Sequence, residues 1–217
     1  EDLQRQLLEL LKAHAHFAVV ENITGATTPV ILLSFKGALD VDLSFQNVDP
    51  LLNTQLLRAY VGLHPIVRDL VVLVKQWAKA GGVSGAARGH LSSYSLTLMV
   101  IYFLQVEPTL QLPCLDTALF QGRNDIPSQA RVPWTCSLSK VELLWGFFTF
   151  YSGEFDWGSE VVSIRLGCRR SAQDALFVQL RGHTQRRLHI EDPFLHVRNL
   201  HCVLTTANEG RLVTALW

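Results

Sequence analysis

Three groups of residues have the types and spacing to do chemistry. The stretch VDLSFQN (41–47) puts Asp42 two positions after Asp40 inside an alternating apolar run. Alternation along a strand places both carboxylates on one face, with Val41 and Leu43 on the other. Such a pair either faces solvent or holds a hard cation such as Mg²⁺ through its oxygens. Lys75 and Lys79 are spaced to stack on one face of an otherwise strongly apolar helix. They are either lysines whose stems lie along apolar surface with their heads in water, or a pair that grips a polyanion. Ser92-Ser93-Tyr94 opens a helical pattern after a glycine-containing loop. Unsatisfied N–H groups and the helix dipole at such an end favour an anion, and the tyrosine ring offers a flat face for a base. Serine capping alone would also account for the two serines. A metal carboxylate, two phosphate cations, a phosphate-binding helix start and a stacking ring together match a nucleoside triphosphate.

The elements that must position these groups read as follows. Residues 1–13 carry leucines at 3, 7, 8, 10 and 11, one apolar face of a helix. Strand-like runs at 16–23, 28–35 and 39–45 are separated by the turn sequences TGATT and KG. Asp49-Pro50 suits the start of a helix over 51–63, and Pro65 the start of the next over 66–80, which Gly81-Gly82 end. Residues 82–90 read as a flexible loop and 91–105 as a mostly buried helix stopped before Pro108. A turn-rich segment over 106–137 precedes a helix over 137–153 and a strand over 161–167; the remainder from 186 is irregular, then helical. This order predicts an α+β chain, the last part of an α+β unit over 1–47 joined to a helical domain over 48–217.

Composition narrows the class. Of 217 residues 48% are apolar and 18% charged, the balance of a globular protein. The longest apolar run, LTLMVIYFL (96–104), is far short of the roughly 18–20 residues that span a bilayer. The N-terminus reads as an amphipathic helix rather than a signal peptide. A formal charge of zero leaves no general nucleic-acid footprint, so any grip on RNA must be local. Cys114, Cys136, Cys168 and Cys202 form no C-x-x-C pair, which argues for reduced intracellular thiols. His14 and His16, two apart, read as pointing to different faces of a helix and not as a metal site. The arginines at 165, 169, 170, 181, 186 and 187 form the one basic-rich region and the place to look for RNA phosphate contacts. Trp134, Trp145, Trp157, Phe147, Phe148, Phe150 and Phe155 read as core, and Arg88 as a surface arginine within reach of a phosphate.

VDLSFQN, the Asn53-Thr54 that follows, VLVKQWAKAGGVSG (72–85), LSSYSLTLMVIYFLQ (91–105) and IEDPF (190–194) occur in that order. Together they resemble the non-standard poly(A) polymerase and terminal uridylyltransferase family of polymerase-β-like nucleotidyltransferases, over nearly the whole chain. The ending IEDPFLHVRNLHCVL resembles the uridylyltransferases of kinetoplastid mitochondria. The resemblance implies the C-terminal part of a nucleotidyltransferase palm (1–47) followed by a helical poly(A)-polymerase-associated domain (48–217), with the nucleotide between them. It implies Asp42 as a catalytic carboxylate that helps hold Mg²⁺ (or Mn²⁺), Asn53 on the ribose and Lys75 and Lys79 on the triphosphate. Ser93 would bind phosphate, Tyr94 would stack on the base, and Asp192 would read the uracil edge. It further implies UTP and an RNA 3′ end as partners, an RNA-processing or editing complex, no membrane, and a mitochondrial location. The family's other two carboxylates, an Asp-x-Asp pair, are expected upstream of residue 1, so the chain reads as a fragment with little activity by itself. Family members that select UTP carry Glu and His where this chain has Leu195 and Arg198, so Arg198 joins the candidate site and an ATP-using relative stands as the alternative. A non-catalytic nucleotide- or RNA-binding scaffold is the reading from another class.

Overall fold

A computed structural model describes residues 2–23, 29–45, 47–122, 125–177 and 188–217. The chain forms two compact units, Glu1–Leu51 and Leu52–Trp217.

In the first unit helix α1 (Asp2–Ala13) is followed by strands β1 (Phe17–Ile23), β2 (Val30–Phe35) and β3 (Leu39–Ser44) in an antiparallel sheet ordered β1-β2-β3. The expected strands lie within two residues of these; the TGATT turn falls outside the described residues. Lys36 and Gly37, both at positive φ (52° and 66°), make the β2–β3 turn, where a residue without a Cβ carries the left-handed conformation at no steric cost. Ile31 and Leu33 on β2 are buried. The next face of the strand is shared by register: Leu32 pairs with Asp42 on one side and Glu21 on the other, past a bulge at Val19/Glu21. His14 and His16 lie beyond the end of α1, not on it, and their rings pack edge-on at 5.6 Å beside Phe17.

Helix α2 (Asp49–Leu63) begins with Asp49-Pro50 inside its first turn and leads into the second unit. Helix α3 (Pro65–Ala80) is capped by His64, whose Nδ1 accepts from Ile66 N at 3.2 Å. It closes where Val83 N donates to Ala78 O (2.9 Å) across Gly82 at φ +66°. Helix α4 (Ser93–Val106) is apolar all round and buried from Ser95 to Gln105, as a helix surrounded by others must be. It packs against α3, which also packs on α5 (Lys140–Thr149). Ser139 and Glu142 close a capping box at the start of α5, and its continuation Phe150–Glu154 widens into a π-helical turn. Phe103, Phe147, Phe150, Tyr151 and Phe155 meet ring to ring in the core, with centroids 4.9–6.0 Å apart. Trp134 and Trp157 are half-buried and donate Nε1–H to Leu110 O and Tyr151 O, both at 2.7 Å. Trp145 departs from the expectation of a core residue: it is 73% exposed, on the outer face of α5.

Two further expectations are corrected. The strand expected over 161–167 shrinks to β4 (Val161–Val162), paired in parallel with β5 (His189–Ile190); Ser163 and Leu166 then turn the chain away. The loop expected to be flexible is pinned. Arg88 Nη2 donates to Ser84 O at 2.8 Å, and Gly89 O accepts from Thr205 N (3.0 Å) and Asn208 Nδ2 (2.9 Å) at the start of helix α6 (Thr206–Leu216). A Cβ at position 89 would lie 2.8 Å from the Thr205 methyl, so this close approach requires glycine. Cys114, Cys136 and Cys168 are free thiols; the side chain of Cys202 is outside the described residues.

Candidate functional site

In the first unit Asp40, Asp42 and Ser44 are exposed along one face of β3, while Val41 and Leu43 are half-buried on the other. The alternation read from the sequence therefore holds. Among the described residues no group of three or more His, Cys, Asp or Glu side chains could cage a metal. Mg²⁺ is ordinarily held by one or two carboxylates together with waters and substrate phosphates, so Asp42 fits as one contributor to a shared ligand set and not as part of an all-protein cage.

In the second unit Asn53, Asp192 and Arg198 lie close to Tyr94, at the start of α4. The Ser92 side chain caps the helix, accepting from Ser95 N at 3.0 Å, which leaves the Ser93 hydroxyl exposed at the first helical position. The Tyr94 hydroxyl donates to Asn53 Oδ1 at 2.8 Å, tying α4 to α2 across 41 positions of sequence. Burial, and next the nearby Asp192 carboxylate, push the Tyr94 pKa far above the ordinary tyrosine value, partly offset by Arg198. Asn53, Tyr94, Asp192 and Arg198 thus share one neighbourhood, although 145 positions separate Asn53 from Arg198.

Asp192 is 2% exposed. Its Oδ1 accepts from Phe194 N (3.0 Å) and Leu195 N (3.1 Å), its own N donates to Arg198 O (3.1 Å), and Arg198 N donates to Leu195 O (2.7 Å). These bonds wind 192–198 into a tight turn that presents Leu195 and Arg198 outward, both exposed. Behind it Glu191 is fully buried as a side chain and is met by Arg165 Nη2 (2.6 Å) and Ser163 Oγ (2.6 Å). Asn199 Oδ1 accepts from Ile190 N (3.1 Å) and His201 N (3.3 Å), fixing the far side.

Lys75 and Lys79 project from α3, the helix packed on α4. Lys75 is half-buried and desolvation lowers its pKa; Lys79 is exposed. Neither ammonium has an ion-pair partner among the described residues, so both remain available to an anion. Arg88 folds back on its own loop.

Among the described residues the arginines of the basic region lie beside carboxylates. Arg165 is committed to Glu191, Arg169 chelates Glu160 (2.6 Å), and Arg170 lies 3.6 Å from Asp174; residues 181, 186 and 187 are outside the described residues. Two buried carboxylates, Glu191 and Glu160, claim Arg165 and Arg169. The supporting residues Glu191, Arg165, Ser163 and Asn199 were missed as parts of the site. A charged residue within the apolar run before Pro193 was the available signal, but its partner lies 26 positions upstream, where spacing carries no information.

The chain is similar to known proteins over most of its length. Residues 141–198 match the family model described as Cid1 family poly A polymerase. The chain is 35% identical over 179 residues to Poly(A) RNA polymerase GLD2 of Homo sapiens, covering 74% of this chain and 37% of that protein. It superposes on a structure of Cid1 poly(U) polymerase bound to MgATP with TM-score 0.80 and 28% identity, over 98% of this chain and 68% of that one. RNA Editing TUTase 1 from Trypanosoma brucei, in complex with a UTP analog, is similar at TM-score 0.65 and 28% identity, over 83% of this chain and 41% of that one. The chain spans a little over a third of the length of the human relative, 37%. Motif order, an α+β architecture with a polymerase-β-like sheet and a poly(A)-polymerase-associated helical domain, and these likenesses place the chain in the non-standard poly(A) polymerase and terminal uridylyltransferase family of polymerase-β-like nucleotidyltransferases.

Proposed function

We propose that this chain serves RNA 3′-terminal nucleotidyl transfer, with UTP as the nucleotide. The observation that carries the reading is the Tyr94–Asn53 bond beside Asp192 and Arg198, at the N-terminus of a 14-residue helix packed against the helix that bears Lys75 and Lys79. The Tyr94 ring stacks on the base and its hydroxyl, held protonated, fixes the Asn53 amide for the ribose. The first N–H groups of α4 and the Ser93 hydroxyl receive phosphate oxygens, and Lys75 and Lys79 balance the triphosphate charge. The reaction is attack of an RNA 3′-oxygen on the α-phosphorus with pyrophosphate leaving. Asp42 is one of the carboxylates for Mg²⁺ (or Mn²⁺), which when bound lowers the pKa of the attacking hydroxyl and neutralises developing charge.

A second reading takes ATP as the nucleotide. A buried acceptor, Asp192, next to an exposed donor, Arg198, matches the donor and acceptor on the edge of adenine as well as that of uracil. The named likeness to poly(A) polymerases supports ATP, and the likeness to poly(U) and U-transferring enzymes supports UTP. The RNA-processing complex and mitochondrial setting suggested by the ending of the sequence belong to the same proposal. The test is extension of a radiolabelled RNA 3′ end by the full-length protein with each nucleoside triphosphate. Asp42→Asn, a change on an exposed strand face, should abolish extension with the melting temperature unchanged; near-normal turnover would refute the assigned role.

A further inference from the structure

The second unit carries a groove of about 500 Å³ whose lining includes Arg58, Gly62 and Leu63 of α2 and Ile126, Arg131 and Val132 of the segment that precedes α5. That volume lies within the range of about 300–1,000 Å³ in which ligand sites fall. Arg58 follows Asn53 by five positions, about 140° round the helix, so the groove opens on a different face from the Tyr94–Asn53 bond. Both guanidiniums are exposed, neither has a hydrogen-bond or ion-pair partner among the described residues, and no acidic residue lines the groove. Arg165 and Arg169, by contrast, are each matched by a buried carboxylate.

We propose that this groove docks a short acidic–aliphatic segment of a partner protein. A leucine, isoleucine, valine or phenylalanine side chain lies against Leu63, Ile126 and Val132, and flanking Asp or Glu residues pair with Arg58 and Arg131. Guanidinium clusters select carboxylate-bearing motifs through forked hydrogen bonds, and an apolar pocket supplies the anchor. Arginines also attract RNA phosphates, but among the described residues the lining holds no aromatic ring on which a base could stack, so the chemistry of the floor selects a peptide.

Gly62 supplies a test that leaves the fold intact. A Cβ built there meets nothing within 4 Å, so a side chain can start from this position and Gly62→Phe puts a ring into the groove from α2. A random dodecapeptide library displayed on phage is panned on the 217-residue chain, and the enriched peptides are synthesised. Their affinities are measured by fluorescence anisotropy for the wild type, Gly62→Phe and Arg58→Glu/Arg131→Glu, alongside a dodecauridylate RNA. Enriched sequences should carry Asp or Glu next to an aliphatic or Phe residue. Affinity should fall by at least about tenfold in both variants, as when an interface charge pair is broken or its pocket filled, with thermal melting and RNA affinity unchanged. Failure to enrich any binder, enriched peptides without acidic residues, or peptides that bind both variants as well as the wild type would each overturn the proposal. A loss of RNA affinity in the arginine variant would overturn it too, by giving the groove to RNA.

Discussion

Replacing Tyr94 in two ways separates contributions that one side chain combines. The hydroxyl donates to Asn53 Oδ1 at 2.8 Å. Tyr94→Phe removes that bond and keeps the ring; a hydrogen bond of this kind is worth about 0.5–1.5 kcal/mol net, so nucleotide affinity should drop roughly two- to tenfold. Tyr94→Ala also removes the stacking face, worth about 1–3 kcal/mol per base, for a combined loss of about 1.5–4.5 kcal/mol, or tenfold to a thousandfold. Burial and Asp192 hold the hydroxyl protonated, so neither loss should vary with pH below the ordinary tyrosine value of 10.0. The assay is calorimetric titration of the chain with UTP and Mg²⁺. Tyr94 is half-buried and packs against the core, so a melting curve accompanies each titration to separate lost folding from lost binding. If Tyr94→Ala and Tyr94→Phe bind equally well, the ring does not stack on the base; if both match the wild type, the nucleotide lies elsewhere.

Arg165→Ala should destabilise the second unit by about 3–5 kcal/mol, the usual cost of leaving a buried carboxylate without its cation, read as a lower chemical-denaturation midpoint; the double change Arg165→Met/Glu191→Leu should restore most of it, and equal losses in both would deny that Glu191 needs its partner. Lys75→Met should raise the melting temperature while weakening triphosphate binding, because desolvation of the ammonium opposes folding. The sign follows from its lowered pKa: the penalty is fully present while the lysine is charged in both states, and it shrinks as pH climbs through the folded pKa toward 10.5. The stability gap between wild type and Lys75→Met should therefore narrow on the alkaline side, and a gap that widens there would contradict the desolvation account.

What the sequence disclosed and what it hid divide along the range of the interactions. The helices and the β1-β2-β3 sheet rest on local periodicity and on Pro, Gly and Ser at element ends, and those signals place Asp42, Lys75, Lys79, Ser93 and Tyr94 on the elements observed. The Asn53–Tyr94 bond and the pairs Arg165–Glu191 and Arg169–Glu160 are long-range, so the arginines read as free surface cations when they are held by buried carboxylates. Glycines suggested freedom over 82–90, yet Gly89 is there to admit Thr205 and Asn208. Val161–Gly167 has a strand's apolar content but only two residues find a partner, because the Ser163 side chain meets Glu191 and the Leu166 amide instead. Residue type alone assigns Trp145 to the core, whereas the phase of α5 turns it outward.

The measurement that tests the account most directly is a calorimetric titration of this chain with UTP, ATP, CTP and GTP, each with Mg²⁺, repeated on Lys75→Met/Lys79→Met. The account predicts saturable binding with UTP the tightest, weakened for every nucleotide by the paired lysine change because the triphosphate is common to all four. A preference for ATP would select the second reading of the turn at 192–198. Saturable binding that is indifferent to the loss of both lysines would contradict the account, since the triphosphate would then lie somewhere other than on the α3 face beside the start of α4.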